Sequence, residues 1–144
     1  MLNMQSQNNF YFQVKVLVIH FGTCEQQSYW ELAKILTDLV DVIRLGSPQG
    51  RLPKLLFSAI LPRCRHFRDC SHIKEADRFN KSLDAYNEAL MDFTKKDEHG
   101  RAFIRHSIDG DAKRLFNDSV HLSHEGGKML AKDFQRAVFQ ALRG

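Results

Sequence analysis

The stretch FNDSVHLSHEGGKML, residues 116–130, decides how the fold and function of this chain are interpreted. It places Asp118 three residues before His121, on the approach to a segment whose apolar residues recur at helical spacing. A carboxylate beside an imidazole orients the ring, so that the histidine can serve as general base for a hydroxyl nucleophile. A D-x-x-H pair also arises where an aspartate closes a turn ahead of an ordinary surface histidine. The rest of the chain has to distinguish these two interpretations.

The same stretch opens the last helix of the chain. Ser123 is a residue type preferred at helix N-caps, and the residues after it place an apolar face on one side of a helix. That face consists of Leu130, Phe134, Val138 and Ala141. The predicted helix would hold the turn that carries Asp118 and His121 in a defined place.

Strand-like segments recur upstream of this helix. VKVLVI (residues 14–19) and KLLFSAIL (residues 54–61) are short apolar runs bounded by polar sequence, as in strands buried on both faces of a sheet. AFIR (residues 102–105) is predicted to be a third, shorter strand. Ser58 falls inside the second strand and is predicted to be a core residue, while His20 ends the first.

Helical periodicity separates the strands. A capping box of Ser28 and Glu31 predicts the start of one helix, and a second is predicted from about residue 71 to residue 93. The apolar positions of the first are Leu32, Ile35, Leu36, Leu39 and Ile43. The resulting order β-α-β-α-β-α predicts right-handed crossovers and an α/β fold, a parallel three-layer α/β/α sandwich.

Three stretches resemble the SGNH (GDSL-type) hydrolases, in the form found in retrotransposon-derived open reading frames. FNDSVHLSHEGGKMLA is similar to the last conserved block of that family, VKVLVIHFGTCEQQ to its strand ending in G-x-N-D, and KLLFSAILPR to the next strand. The resemblance runs from about Val14 to the end of the chain. It implies a flavodoxin-like SGNH-hydrolase fold of strand order 2-1-3-4-5, of which three parallel strands are expected here. It also implies that Asp118 and His121 are the acid and base of a Ser-His-Asp triad that hydrolyses esters.

The chain departs from the family pattern in the first block. The family's nucleophilic serine lies on a G-D-S turn before the G-x-N-D strand, whereas residues 1–13, MLNMQSQNNFYFQ, contain no G-D-S and are too short for a βαβ unit of about 30 residues. The oxyanion region falls at Gly22 and Cys24, where Cys24 stands in place of the family's asparagine. We therefore predict a polar extension at 1–13 and a partial, catalytically incomplete SGNH-hydrolase-like domain at 14–144.

Cys24 raises an alternative to the missing serine. It follows a predicted strand, at the end where ligands bind in open α/β sheets, so a Cys24-His121-Asp118 triad is conceivable. The family uses that position to donate a hydrogen bond, and a neutral substitution is the favoured interpretation.

Composition sets the class of protein. With 144 residues, 43% of them hydrophobic, the chain can bury one core. It contains no apolar run of the ~20 residues that span a bilayer, and its polar start does not resemble a signal peptide. Three cysteines without a C-x-x-C motif fit a reducing compartment. The sequence predicts a cytoplasmic, soluble protein with no cofactor and no membrane partner.

The alternative function is a non-catalytic binding or assembly module. The net charge is +4, and Arg63, Arg65 and Arg68, with Phe67 between them, could touch a phosphate backbone, although a solvated loop is the favoured interpretation. The set Cys64, His66, Cys70 and His72 has the residue types of a zinc site, but its spacing fits none of the common zinc motifs, and no metal is predicted. Without two further strands, residues 14–19 would become an exposed edge that favours self-association.

Overall fold

Among the residues that the structure describes, three parallel strands form a single sheet. The computed structural model describes residues 14–21, 29–47, 52–67, 70–95 and 102–143. The strands are β1 (Val16–Ile19), β2 (Lys54–Ser58) and β3 (Ala102–Ile104), in the spatial order β1-β2-β3. The helices are α1 (Tyr29–Leu45), α2 (Cys70–Lys95) and α3 (His124–Arg143). The predicted alternation of parallel strands and helices is confirmed.

The two faces of β2 bury different sets of residues, because successive side chains on a strand point to opposite sides. Leu55 and Phe57 join a core cluster with α1 and α2, in which Leu36 and Leu90 are also buried. The opposite face meets α3, where the Lys54 ammonium donates to the Ala141 carbonyl at 2.6 Å. Helices therefore cover both faces of the sheet, as the three-layer prediction requires.

The strand β2 is shorter than predicted, ending at Ser58 instead of residue 61. The Ala59 N–H still donates to the Ile104 carbonyl of β3, at 2.9 Å, and beyond it the backbone pairs with asparagines of α2. The Asn87 side chain accepts the Ile60 N–H at 2.7 Å and donates to the Ile60 carbonyl at 3.0 Å. Asn80 does the same for both backbone groups of Arg63. The apolar run continues to Leu61 because the segment stays buried without being a strand.

The helices agree with the predicted periodicity, with one exception. In α1, Leu32, Leu36, Val40 and Ile43 are buried, whereas Ile35 is 41% exposed and lies off the buried stripe. The predicted capping residue Ser28 lies outside the described residues, as does the predicted 1–13 extension. Across the described ranges, no helix combines the length and apolarity needed to cross a membrane.

The strand β1 lies at one edge of the described sheet. All four of its residues are only partly buried, in contrast to the last four residues of β2, which are buried. Unpaired edge groups beside apolar side chains form a template for pairing with another chain. We therefore predict concentration-dependent self-association, to be measured by light scattering over a dilution series. A monodisperse monomer at every concentration would contradict this prediction.

Candidate functional site

Asp118 organises a tight turn immediately ahead of α3. Its Oδ1 accepts the backbone N–H of Val120 at 2.8 Å and that of His121 at 2.7 Å. Its Oδ2 lies 2.8 Å from His121 Nδ1. One carboxylate therefore fixes both the backbone of the turn and the ring of the histidine. The predicted contact between Asp118 and His121 is confirmed.

The electrostatics of the turn follow from these hydrogen bonds. The backbone N–H of His121, then that of Val120, and then the His121 side chain stabilise the charged carboxylate and lower the pKa of Asp118 to about 2. The ionised carboxylate is an acceptor only, so His121 Nδ1 carries the proton that it donates to Asp118. His121 Nε2 is left with a free lone pair, and 78% of the side chain is exposed. This is the arrangement of a general base held by a carboxylate.

The backbone around the turn is anchored on both sides. Phe116 and Leu122 form an antiparallel bridge, and the Asn117 N–H donates to the His121 carbonyl at 2.8 Å. The Ser119 carbonyl accepts the Cys64 N–H at 2.9 Å, which ties the turn to the segment after β2. The turn is thus a constrained loop whose position depends on the buried residues beneath it.

The start of α3 is anchored as well. Ser123 Oγ accepts the Gly126 N–H at 3.2 Å and donates to the Arg114 carbonyl at 2.7 Å. The N-cap role predicted for Ser123 is confirmed. Arg114 belongs to a single 3-10 turn, Lys113–Leu115, which the sequence did not predict. Glu125 in the first turn of the helix pairs with the Arg114 guanidinium at 3.2 Å.

A cleft of about 360 Å³ lies beside the pair. It is lined by Asp118 and His121 of the turn, by Arg63 and Phe67 of the segment after β2, and by Glu75 of α2. The Arg63 guanidinium carbon lies 4.3 Å from the centre of the Phe79 ring, so a cation–π contact holds this side chain. The cleft thus combines one imidazole, one aromatic ring and charges of both signs.

The other residues predicted for the site are not brought to His121 by the described structure. Gly22 and Cys24, the predicted oxyanion region, lie outside the described residues. Within those residues, the only side-chain hydrogen bonds of the His121 ring are to Asp118. Ser123, two positions further on, is occupied as a helix cap. The described residues therefore supply a base and an orienting carboxylate, but no hydroxyl that is hydrogen-bonded to the base.

A second polar cluster, which the sequence analysis did not assemble, lies between the sheet and α3. Ser58 Oγ is 2.7 Å from His20 Nδ1 and 2.5 Å from His106 Nε2. His106 Nδ1 is 3.3 Å from Asp133 Oδ2. Asp133 also accepts the Ser107 N–H at 3.1 Å. The side chains of His106 and Asp133 are each 4% exposed, and Ser58 is fully buried.

Burial decides the charge of the histidines in this cluster. Partial loss of hydration lowers the pKa of His20, and the neighbouring His106 lowers it further. Loss of hydration also lowers the pKa of His106, against the opposing effect of the Asp133 carboxylate. Both rings therefore favour the neutral form near neutral pH.

Two sequence signals pointed toward this cluster. Asp133 stands next to Phe134 on the apolar face of α3, where a carboxylate must be satisfied by hydrogen bonds. His20, Ser58 and His106 lie at or just beyond the carboxyl ends of three parallel strands, which meet at one edge of a sheet. The strand assignments alone did not show that all three side chains face α3, and so the cluster was missed.

The described side chains of the basic loop and of the cysteine–histidine set contact carboxylates or pack in an apolar cluster. Arg65 pairs with Asp77 through two nitrogens, at 3.0 and 3.3 Å, and His66 Nε2 lies 3.1 Å from Asp111. Cys64 is buried in an apolar cluster with Leu61, Ile108, Leu115 and Phe116. Arg68 and the side chains of Cys70 and His72 lie outside the described residues. Nucleic-acid contact through this loop stays a prediction.

Asp118 gives the turn a defined response to acid. Because its folded pKa is lowered to about 2, below an ordinary value of about 3.9, its contribution to stability is present above the unfolded value and is lost as pH falls through the folded one. We expect the amide shifts of Val120 and His121 to titrate with a midpoint near the lowered value in an NMR acid titration. A midpoint at the ordinary aspartate value would show that the hydrogen bonds to the carboxylate are absent.

Comparison with known proteins places the fold. No family model matches the chain, and no curated protein matches it. Among solved structures, a GDSL-like lipase from Bacteroides thetaiotaomicron is similar over 88% of this chain, with a TM-score of 0.58 and 17% sequence identity. This chain spans 63% of the length of that lipase. The likeness shows that the described sheet and helices have an SGNH/GDSL-like α/β fold.

Proposed function

We propose that this chain is an SGNH-hydrolase-like, esterase-type domain in which His121 is the general base and Asp118 orients it. The observation that carries the proposal is the geometry of the Asp118 carboxylate, which accepts two backbone N–H groups through Oδ1 and the His121 ring through Oδ2. That arrangement leaves the His121 Nε2 lone pair available to a nucleophile. The GDSL-like fold of the described residues is consistent with this role.

The chemistry would be acyl transfer through a serine ester. His121 Nε2 takes the proton of a serine hydroxyl while the serine oxygen attacks the ester carbonyl, and the resulting imidazolium is stabilised by Asp118. The imidazolium then returns its proton to the leaving alcohol. Water attacks the acyl-serine by the same path, with His121 again as base. Gly22 and Cys24 are the residues proposed to lie near the negative oxygen of the tetrahedral intermediate.

The proposal also holds that the chain as given is catalytically incomplete. The 144-residue sequence contains no G-D-S motif. In the described part of the chain, no hydroxyl is hydrogen-bonded to the His121 ring. The serine would have to come from a further segment that carries the family's G-D-S turn. The site would then act on an ester only when that segment completes it.

For the chain as given, we expect hydrolysis of a short-chain aryl ester to stay at the buffer rate, because a base without a bound nucleophile has nothing to activate. His121→Ala should leave this background unchanged. Release of the aryl alcohol can be followed by absorbance. Turnover that disappears in His121→Ala would contradict incompleteness, and additional loss in Cys24→Ala would identify the thiol as the nucleophile.

A further inference from the structure

The cluster of Asp133, His106, Ser58 and His20 forms a continuous line of hydrogen bonds from α3 to the end of β1. Its inner end is buried, since the Asp133 and His106 side chains are each 4% exposed, whereas His20 is an exposed residue. The line therefore connects one buried carboxylate to one ring that reaches solvent.

The direction of every hydrogen bond in the line follows from the carboxylate. An ionised Asp133 only accepts, so His106 Nδ1 carries a proton and His106 Nε2 carries a lone pair. Ser58 then donates its single proton to His106 Nε2, at 2.5 Å, in preference to the Ala59 carbonyl at 3.3 Å. The Ser58 oxygen in turn accepts from His20 Nδ1. His20 Nε2 is left as a free acceptor at the outer end.

We propose that these four residues are a proton relay, in which His20 Nε2 accepts a proton at the carboxyl edge of the sheet and the charge is stored on His106 beside Asp133. A proton bound at His20 Nε2 releases the Nδ1 proton to the Ser58 oxygen. Ser58 passes its own proton to His106 Nε2. Three protons each move one place, His106 becomes imidazolium, and His20 changes tautomer without a change of charge. The two hydrogen bonds to Ser58 reverse their direction, the hydrogen bond from His106 Nδ1 to Asp133 keeps its direction, and none is lost.

The charged neighbours, in opposition to burial, favour a positive charge on His106 at the inner end. Asp133 supplies the negative charge, and Arg136 on the next turn of α3 pairs with it at 4.0 Å, with 71% of the arginine side chain exposed. The Phe134 ring stands edge-on to both histidines, with its centre 5.7 Å from that of His20 and 5.6 Å from that of His106. Phenylalanine is uncharged, so it does not favour a charge on either ring. Loss of hydration lowers the pKa of both rings; beyond that effect, His106 lowers the pKa of His20 further, whereas the hydrogen bond and charge of Asp133 act to raise the pKa of His106. The rings themselves meet edge-on, with their centres 6.2 Å apart, and in the described part of the chain Ser58 is the hydrogen-bonding link between them.

The relay makes His20 a base site that is separate from His121 and does not depend on the proposed esterase function. Its position at the carboxyl ends of parallel strands is where ligands of open α/β folds bind. The chemical class that it fits is a small hydroxylic proton donor, such as water or an alcohol. A base whose positive charge is carried away to His106, beside a buried carboxylate, leaves no positive charge at the edge where the donor becomes an anion.

The test uses the unmodified, 15N-labelled chain and long-range 1H–15N correlation of its imidazole rings, titrated from about pH 8 to about pH 5. At the alkaline end both rings should carry their proton on Nδ1. On acidification, His106 should become imidazolium first, while His20 switches to the Nε2–H tautomer. Burial alone predicts the reverse order, with the exposed His20 protonated first. An Nε2–H tautomer of His106 at the alkaline end, or protonation of His20 first, would overturn the proposal.

Ser58→Ala removes the link and leaves both rings in place. In that variant His20 should protonate before His106, without the tautomer switch. His121→Ala is the matched control, and its titration of His20 and His106 should be unchanged. An unchanged order of protonation in a folded Ser58→Ala would overturn the relay. If that variant does not fold, the tautomers and the order in the unmodified chain decide the question alone.

Discussion

Gly126→Ala is expected to destabilise the protein by about 3 kcal/mol, whereas Gly127→Ala, one residue later in the same helix, should not destabilise it. A Cβ on Gly126 would lie 2.1 Å from the Leu115 carbonyl oxygen, a backbone atom that cannot move aside without displacing the 3-10 turn. A Cβ on Gly127 meets no atom within 4 Å. There, alanine should stabilise the helix by up to about 1 kcal/mol through helix propensity.

Urea unfolding of the two variants beside the parent chain measures the difference directly. The two substitutions add the same methyl group to adjacent residues, so a general effect of alanine on α3 cancels. Equal midpoints for Gly126→Ala and Gly127→Ala would show that the helix does not approach Leu115 this closely. The approach matters for the candidate site because the Ser123 N–H also donates to the Leu115 carbonyl, at 2.8 Å, directly after the turn that holds His121.

The local features of the site could be predicted because their causes are local. Asp118 and His121 are three residues apart, and an aspartate that accepts the two N–H groups of its own turn needs no distant partner. Ser123 is likewise a cap for the helix that begins at the next residue. The same holds for the parallel α/β architecture, which follows from the alternation of apolar runs and helical periodicity.

What was missed depends on contacts between distant parts of the chain. Ser58 was correctly predicted to be buried, but its partner His106 is 48 residues away, and Asp133 is a further 27. The end of β2 was misplaced because Asn87 replaces the backbone partner that a strand would supply, 27 residues from Ile60. Apolarity showed that these segments are buried, but it did not show which polar groups meet them.

If His121 is the base and Asp118 orients it, a protein that also carries the serine should lose most of its activity when either residue is replaced. If a segment that carries the serine is encoded in frame upstream of Met1, the extended protein should hydrolyse a short-chain aryl ester. Removal of the base in a Ser-His-Asp triad lowers kcat by about 10⁴-fold or more. His121→Ala should therefore abolish measurable turnover, while Asp118→Asn should lower it by roughly 10²- to 10⁴-fold, because the ring loses its orienting carboxylate.

The most direct test of the proposed function is this hydrolysis measurement on the extended protein, with the relay variant Ser58→Ala, once its folding has been shown, as a control that leaves the Asp118 turn intact. The account predicts ester hydrolysis that is lost in His121→Ala and retained in Ser58→Ala. An upstream frame with no serine-bearing G-D-S turn, or hydrolysis by the extended protein that survives His121→Ala, would contradict it.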